Sequence, residues 1–174
     1  DVMLPGQDGL TLSRSIRSRS SLPLILLTAR GQEADRIVGV ELGADDYVTN
    51  PFSPRELAAR VRALHRRASA QADSRSSLAF GDVVLDGDGR EVRKAGTEVL
   101  LTAGEFDLLW FLAANPRRVF SRDQLMARVW GYEPALDSGT VTVHIRRLRT
   151  KVEDDPARPR HLQTVWGVGY RLTP

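Results

Sequence analysis

The chain has 174 residues, 41% hydrophobic and 27% charged, with a formal net charge of +3 and no cysteine. This is the composition of a folded globular protein, and it excludes a disulfide scaffold, a thiolate nucleophile and a cysteine-ligated metal. No apolar run approaches the roughly 20 residues that span a bilayer, and the N-terminus lacks a basic-then-apolar export pattern. No membrane partner and a cytoplasmic location are therefore expected.

The length suits two small cores. Before Arg67, short β-type runs alternate with amphipathic helices, as in a parallel α/β sheet. Residues 22–28 read as a buried strand and 45–49 as a second, with a helix over about 32–42 between them, stopped by Gly43. Pro54 then opens a helix behind a capping Ser53, and Leu57, Val61 and Leu64 line one face as far as about Arg66. Two strands fall short of the three or more usual in such a domain. The first residue is also Asp rather than Met, so residues 1–67 are read as the later part of a domain lacking its N-terminal strands and helices.

Residues 68–77 (ASAQADSRSS) carry nothing apolar larger than Ala, as expected of a flexible linker. The charge is nearly even about this point, +2 before Ser77 and +1 after it. Any anion-binding site must therefore be local.

Residues 78–174 begin with β-prone runs at 83–85, 91–93 and 99–101, broken by Asp-Gly and Ala-Gly turns, which predict a small antiparallel sheet. Thr102 and Glu105 form a capping-box pair ahead of a helix whose inner face is Phe106, Leu109, Trp110 and Ala113. Ser121 caps the next, with Leu125, Met126, Val129 and Trp130 turned inward, and residues 131–138 loop onward.

A third helix covers residues 140–152 and buries Val141, Ile145, Leu148 and Val152. Its other surface carries Val143, Arg146, Arg147, Arg149 and Lys151. That face suits a DNA major groove, where Arg bonds guanine bidentately and a small apolar side chain meets a thymine methyl; a basic helix alone is more often a solvated surface. His144 reads as a packed or hydrogen-bonded helix residue, since three scattered His without Cys make a poor zinc site. Residues 162–172 alternate around Gly167 and Gly169 as a hairpin, which completes a winged helix-turn-helix.

The ordered motifs DVMLPGQDG, LTAR, GADDYVTNPFSPREL, LTAGEFDLLWFLAANP, TVTVHIRRLRTKVE and TVWGVGYRL resemble those of the OmpR/PhoB-like subfamily of two-component response regulators. The resemblance implies the C-terminal part of a flavodoxin-like (CheY-like) receiver domain over 1–67, a linker over 68–77 and a winged helix-turn-helix over 78–174. It implies a sequence-specific DNA-binding transcriptional regulator, not an enzyme, whose receiver takes a phosphoryl group from a sensor histidine kinase.

By that resemblance Asp1 is the phosphoacceptor, Thr28 the switch hydroxyl and Tyr47 the switch aromatic. Mg²⁺ belongs to the complete receiver; this sequence lacks the acidic pair of the family's first strand, so Asp1 would be only a partial ligand and no metal set is complete. The chain beginning at Asp1 is accordingly expected to resist phosphorylation. Asn50 stands where the family usually has Lys and supplies no positive charge, which weakens phosphoryl transfer and its coupling to Thr28. The alternative is a phosphorylation-independent regulator, or receiver remnant, acting through protein contacts.

Arg36 with Glu56 and Asp46 with Arg60 resemble the family's homodimer surface, or are ordinary solvated pairs. In the effector, Thr142, Val143 and Arg147 are the implied base-facing residues, and Thr140, Arg146, Arg149 and Lys151 the implied phosphate contacts, on a DNA site of direct repeats. Thr142 replaces an acidic residue and Gly139 a basic one. Trp166 replaces an Arg in the wing, where its indole can donate one hydrogen bond or pack on sugar, with Arg171 supplying charge nearby. The loop 131–138 matches a segment that touches RNA polymerase in relatives, or is a plain connector.

Overall fold

The computed structural model describes residues 3–4, 7–20, 22–29, 43–69, 77–131 and 139–174. Asp1, Arg36, the helix expected over 32–42, the loop 132–138 and residues 70–76 of the expected linker lie outside them.

A two-residue hairpin, β1 (Met3–Leu4) with β2 (Gln7–Asp8), leads into helix α1 (Gly9–Arg17). Asp8 starts that helix, since its carboxylate accepts from the N–H groups of Leu10 and Thr11, each at 3.2 Å. The sequence reading did not single out this helix. Strands β3 (Ile25–Ala29) and β4 (Asp46–Asn50) pair in parallel, with Leu26 opposite Tyr47 and Thr28 opposite Thr49.

The first strand starts three residues later than expected for two reasons. Pro23 has no N–H to give a ladder, and the N–H of Leu24 is taken by the Asp45 carboxylate at 2.9 Å. Helix α2 (Pro54–Ser69) follows, with Leu64 buried beneath it.

The effector opens with an antiparallel meander of β5 (Ser77–Phe80), β6 (Val83–Asp86), β7 (Glu91–Lys94) and β8 (Thr97–Glu98). Period-two alternation turns Val83, Leu85 and Val92 inward. The third run ends earlier than its β-prone residues suggested. The Val99 N–H makes a last rung to the Val92 carbonyl at 2.8 Å, and Leu100 then turns out to solvent.

Helix α3 (Ala103–Ala114) is closed by the expected capping box of Thr102 and Glu105 and buries Phe106, Leu108, Leu109 and Leu112. Helix α4 (Arg122–Leu125) begins at the Ser121 cap and passes into a π-helical turn over Met126–Trp130. Gly131 ends it at φ +76°, a left-handed conformation that glycine takes without strain.

Helix α5 (Gly139–Val152) and the hairpin of β9 (Leu162–Val165) with β10 (Gly169–Leu172) complete a winged helix-turn-helix. The core joins Val141, Ile145, Leu148 and Val152 of α5 to α3, α4, the meander and the wing. Among the described residues no helix is long and apolar enough to cross a membrane.

The wing is fastened to the segment before α4 by reciprocal bonds between Phe120 and Tyr170, N–H to carbonyl at 2.9 Å in each direction. A Cβ on Gly169 would overlap the Phe120 carbonyl oxygen. Gly169→Ala is therefore expected to destabilise the protein by about 2 kcal/mol or more, at the cost typical of forcing a methyl into a packed site, read as a lower urea midpoint with unchanged m-value.

Candidate nucleic-acid interface

Helix α5 is set in place by one carboxylate. Glu105 is 0% exposed, and a charge so buried survives only if it is paired. Its Oε2 accepts from the Thr102 N–H at 2.9 Å and from Lys151 Nζ at 2.6 Å, while Oε1 lies 2.8 Å from Arg147 Nε. Burial disfavours its charge, but the Arg147 and Lys151 cations outweigh that and hold its pKa below the ordinary value. The rotation of α5 about its axis is thereby fixed from α3.

The wing is tied to the same helix. Arg149 donates from Nε to the Leu162 carbonyl and from NH2 to Thr164 Oγ1, both at 2.8 Å. Burial lowers the Arg149 pKa, though an arginine so placed keeps its charge. Glu153, just beyond α5, accepts from the N–H groups of Arg160, His161 and Leu162 at 2.9, 2.9 and 2.6 Å, which anchors the start of β9. The hydroxyls of Thr142 and Tyr170 lie 3.1 Å apart. Helix and wing thus form one surface, with Thr142 and Arg146 exposed on it.

Part of that surface is covered by the receiver half. Val143 is only 7% exposed and packs with Leu26, Ala44 and Tyr47. A polar node lies beside this contact: Asp45, fully buried, accepts at Oδ1 from the Gly104 N–H at 2.9 Å and at Oδ2 from Arg17 NH2 at 2.8 Å. Its backbone carbonyl accepts from Trp130 Nε1 at 3.2 Å.

His144 is packed edge-on to Trp130 with ring centroids 5.1 Å apart, and it shares Nδ1 with the Thr140 carbonyl at 2.9 Å. Its expected role as a packed helix residue holds. Burial lowers its pKa and keeps it neutral, against the opposing pull of Glu105 and Asp45.

Several expected site residues are placed differently from their sequence reading. Val143, expected to face outward, lies under the receiver; Arg149 holds the wing and Lys151 holds Glu105, rather than projecting as phosphate contacts. Thr140 is buried and Arg147 half-buried. Arg171 is half-buried, bonded to Gln163 at 3.0 Å, and Trp166 is exposed.

Arg60 joins Asp46 and Glu56 within one chain, at 3.1 and 2.8 Å. Tyr47 is buried and Asn50 exposed at the end of β4, while Thr28 sits in β3. Among the described residues no three acidic or histidine side chains gather as a metal site, so they do not themselves assemble the oxygen set that Mg²⁺ needs. Sequence reasoning missed Asp45 and Arg17 altogether and saw Glu105 only as a cap.

Residues 1–62 match the response regulator receiver domain, and residues 96–172 match the C-terminal domain of transcriptional regulatory proteins. The chain belongs to the OmpR/PhoB-like response regulators. It is 48% identical over 175 residues to the sensory transduction protein RegX3 of Mycolicibacterium smegmatis, covering 99% of this chain and 77% of that protein. RegX3 of Mycobacterium tuberculosis is equally similar, 48% over 174 residues with the same coverage of each.

Among solved structures, the OmpR/PhoB homologue DrrB of Thermotoga maritima aligns with a TM-score of 0.54 at 38% identity, covering 100% of this chain and 77% of its own. The Klebsiella pneumoniae RstA DNA-binding domain, solved with its RstA box, aligns over 57% of this chain and 98% of its own, with a TM-score of 0.52 and 32% identity. This response regulator therefore joins a receiver to a DNA-binding effector, and a sensor kinase and DNA are its partners. Both matched domains are those of transcriptional response regulators.

The lowered pKa of Glu105 fixes the sign of a pH effect. Its contribution to stability is present above the unfolded carboxylate pKa, ordinarily 4.5, and is lost as pH falls through the lower folded value. Glu105→Gln is expected to cost about 2–3 kcal/mol at neutral pH, less than for a sealed ion pair because Arg147 and Lys151 can reach water. The variant's stability should also fall less steeply below pH 4.5, as chemical denaturation across that range would show.

Proposed function

We propose that this response regulator reads DNA through α5 and the wing, and that in the conformation described here the receiver half restrains it by covering Val143. The observation that carries this reading is the packing of Val143, at a position facing bases by family resemblance, beneath Leu26, Ala44 and Tyr47. A duplex cannot occupy the same surface, so binding requires the receiver to move off. The polar node at Asp45 sets the cost of that movement, since charge-assisted hydrogen bonds contribute about 1.5–3 kcal/mol each.

Within this reading Thr142, Val143 and Arg147 face base edges once the receiver has moved off, with Arg146 at phosphates. Arg149 and Lys151 act mainly by holding the helix and wing in register. The site is a direct repeat bound by a dimer, the protein works in the cytoplasm, and the loop 131–138 contacts RNA polymerase. In a receiver complete with its acidic pair, Asp1 accepts the phosphoryl group from the kinase, Mg²⁺ is the metal, and Thr28 and Tyr47 carry the switch. A second reading, regulation without phosphorylation, is favoured by Asn50, whose amide adds no positive charge at the end of β4.

Binding of a duplex selected from a randomised pool, followed by fluorescence anisotropy, tests the proposal. Asp45→Ala is expected to tighten binding by about ten-fold, because removing one such charge-assisted bond shifts the covered–uncovered equilibrium by roughly that factor. Unchanged or weaker binding would show that the cover is not inhibitory. Arg147→Ala should cost about 1–3 kcal/mol on the selected site and less on unrelated DNA, as loss of a base contact does.

A further inference from the structure

Trp166 is 89% exposed at the tip of the wing, and Val168 beside it is 56% exposed. Their turn is closed by the Val168 N–H to the Val165 carbonyl at 3.0 Å, with Gly167 at φ +74° and nothing within 4 Å of where its Cβ would stand. An indole held in open solvent on an ordered hairpin contributes nothing to the core. The other two tryptophans do contribute: Trp130 is buried against His144, and Trp110 stacks on Phe106.

The tip is also held at a fixed offset from α5. Arg149 ties Leu162 and Thr164 to the helix, and the hydroxyls of Thr142 and Tyr170 meet between them. When α5 lies in a major groove, the wing tip therefore falls on the same duplex, beside the base pairs that α5 reads.

Trp166, Gly167 and Val168 carry no charge, and Arg171 further along the strand is bonded to Gln163. The tip thus offers a flat apolar wedge rather than a cationic grip on phosphate. Apolar side chains enter a minor groove by prying open a base step. An indole is broader than the guanidinium that favours the narrow groove of an A-tract, so it favours steps that open easily, the pyrimidine–purine steps TA and CA/TG.

We propose that Trp166 wedges into the minor groove at a flexible pyrimidine–purine step flanking the bases read by α5, and so sets a sequence preference where no hydrogen bond reads a base. The inference rests on the DNA-binding reading above.

The test uses the full chain and a selected duplex remade with either a TA step or an A-tract at the flank. The unmodified chain is expected to prefer the TA flank by about ten-fold, in line with the strength of base–aromatic stacking. The emission component that Trp166→Ala removes should be quenched on binding and shielded from acrylamide. Trp166→Ala should abolish the flank preference without moving the melting temperature, and Trp166→Arg should turn the preference towards the A-tract and steepen the salt slope by about one.

Binding with Trp166 still open to acrylamide, or a flank preference that survives Trp166→Ala, would overturn the wedge while leaving DNA binding intact. If the unmodified chain bound no duplex, the DNA-binding reading would fail, and the wedge with it.

Discussion

The buried charge of Glu105 organises the effector. It closes the N-terminus of α3 through the Thr102 N–H and draws Arg147 and Lys151 of α5 onto the same carboxylate. Neither helix can shift without leaving part of that charge unpaired in a dry interior, a penalty far larger than the net worth of an exposed ion pair. The apolar stripe of Val141, Ile145, Leu148 and Val152 supplies most of the burial energy, but such a stripe tolerates small rotations. A paired charge is less forgiving, and it is what aims Thr142 and Arg146 outward.

Asp45 plays the corresponding part between the two halves. Its carboxylate binds Leu24 and Arg17 of the receiver together with Gly104 of the effector, and its carbonyl takes the Trp130 indole. The approach is close because residue 104 is glycine: a Cβ there would stand 3.0 Å from His144 Nε2 and 3.5 Å from the Asp45 carbonyl oxygen. A few polar bonds and a small apolar contact at Val143 make a junction that opens only for a ligand whose preference for the open state exceeds about ten-fold for each charge-assisted bond given up. Burial keeps His144 neutral in the joined state; the stability linked to this is complete above its ordinary pKa of 6.5 and declines as pH falls through the lower folded value. Acid thus lowers the stability of the folded chain through both Glu105 and His144.

The elements legible in the sequence were those governed by local chemistry. The capping box at Thr102, the cap at Ser121, the stripe of α5 and the Gly-rich wing each depend on residues within a few positions of one another, and the structure has them as read. Helix α1 was missed because Leu10, Leu12 and Ile16 are spaced among serines and arginines that dilute the periodic signal.

Site residues were harder to read because contacts across long sequence separations decide them. Nothing near Arg149 announces that its guanidinium goes to Leu162 and Thr164, and nothing near Val143 that its covering comes from Leu26 and Tyr47, over a hundred and about ninety-six positions away respectively. Periodicity locates the face a helix turns to its own core; it is silent about a second face covered by another part of the chain. The charges at Asp46, Glu56 and Arg60 illustrate the same point, since nothing in their local sequence says whether they pair within one chain, as Arg60 does here, or with a second copy.

These placements change the kind of affinity the surface can have. Of the three basic residues on α5 that the sequence offered to phosphates, Lys151 is drawn to Glu105 and Arg149 to the wing. The wing tip adds an indole where relatives often carry a guanidinium. Each phosphate contact withdrawn in this way removes about 0.9 from the slope of log affinity against log salt on duplex DNA. Binding by this face should accordingly depend less on counterion release than a count of its cations suggests, and more on the fit of base edges and groove shape. Weak electrostatics also lowers affinity for unrelated DNA, so discrimination between sites need not suffer when total affinity does. A protein that reads DNA in the proposed way depends on holding α5 at one angle, which returns the burden to the carboxylate of Glu105.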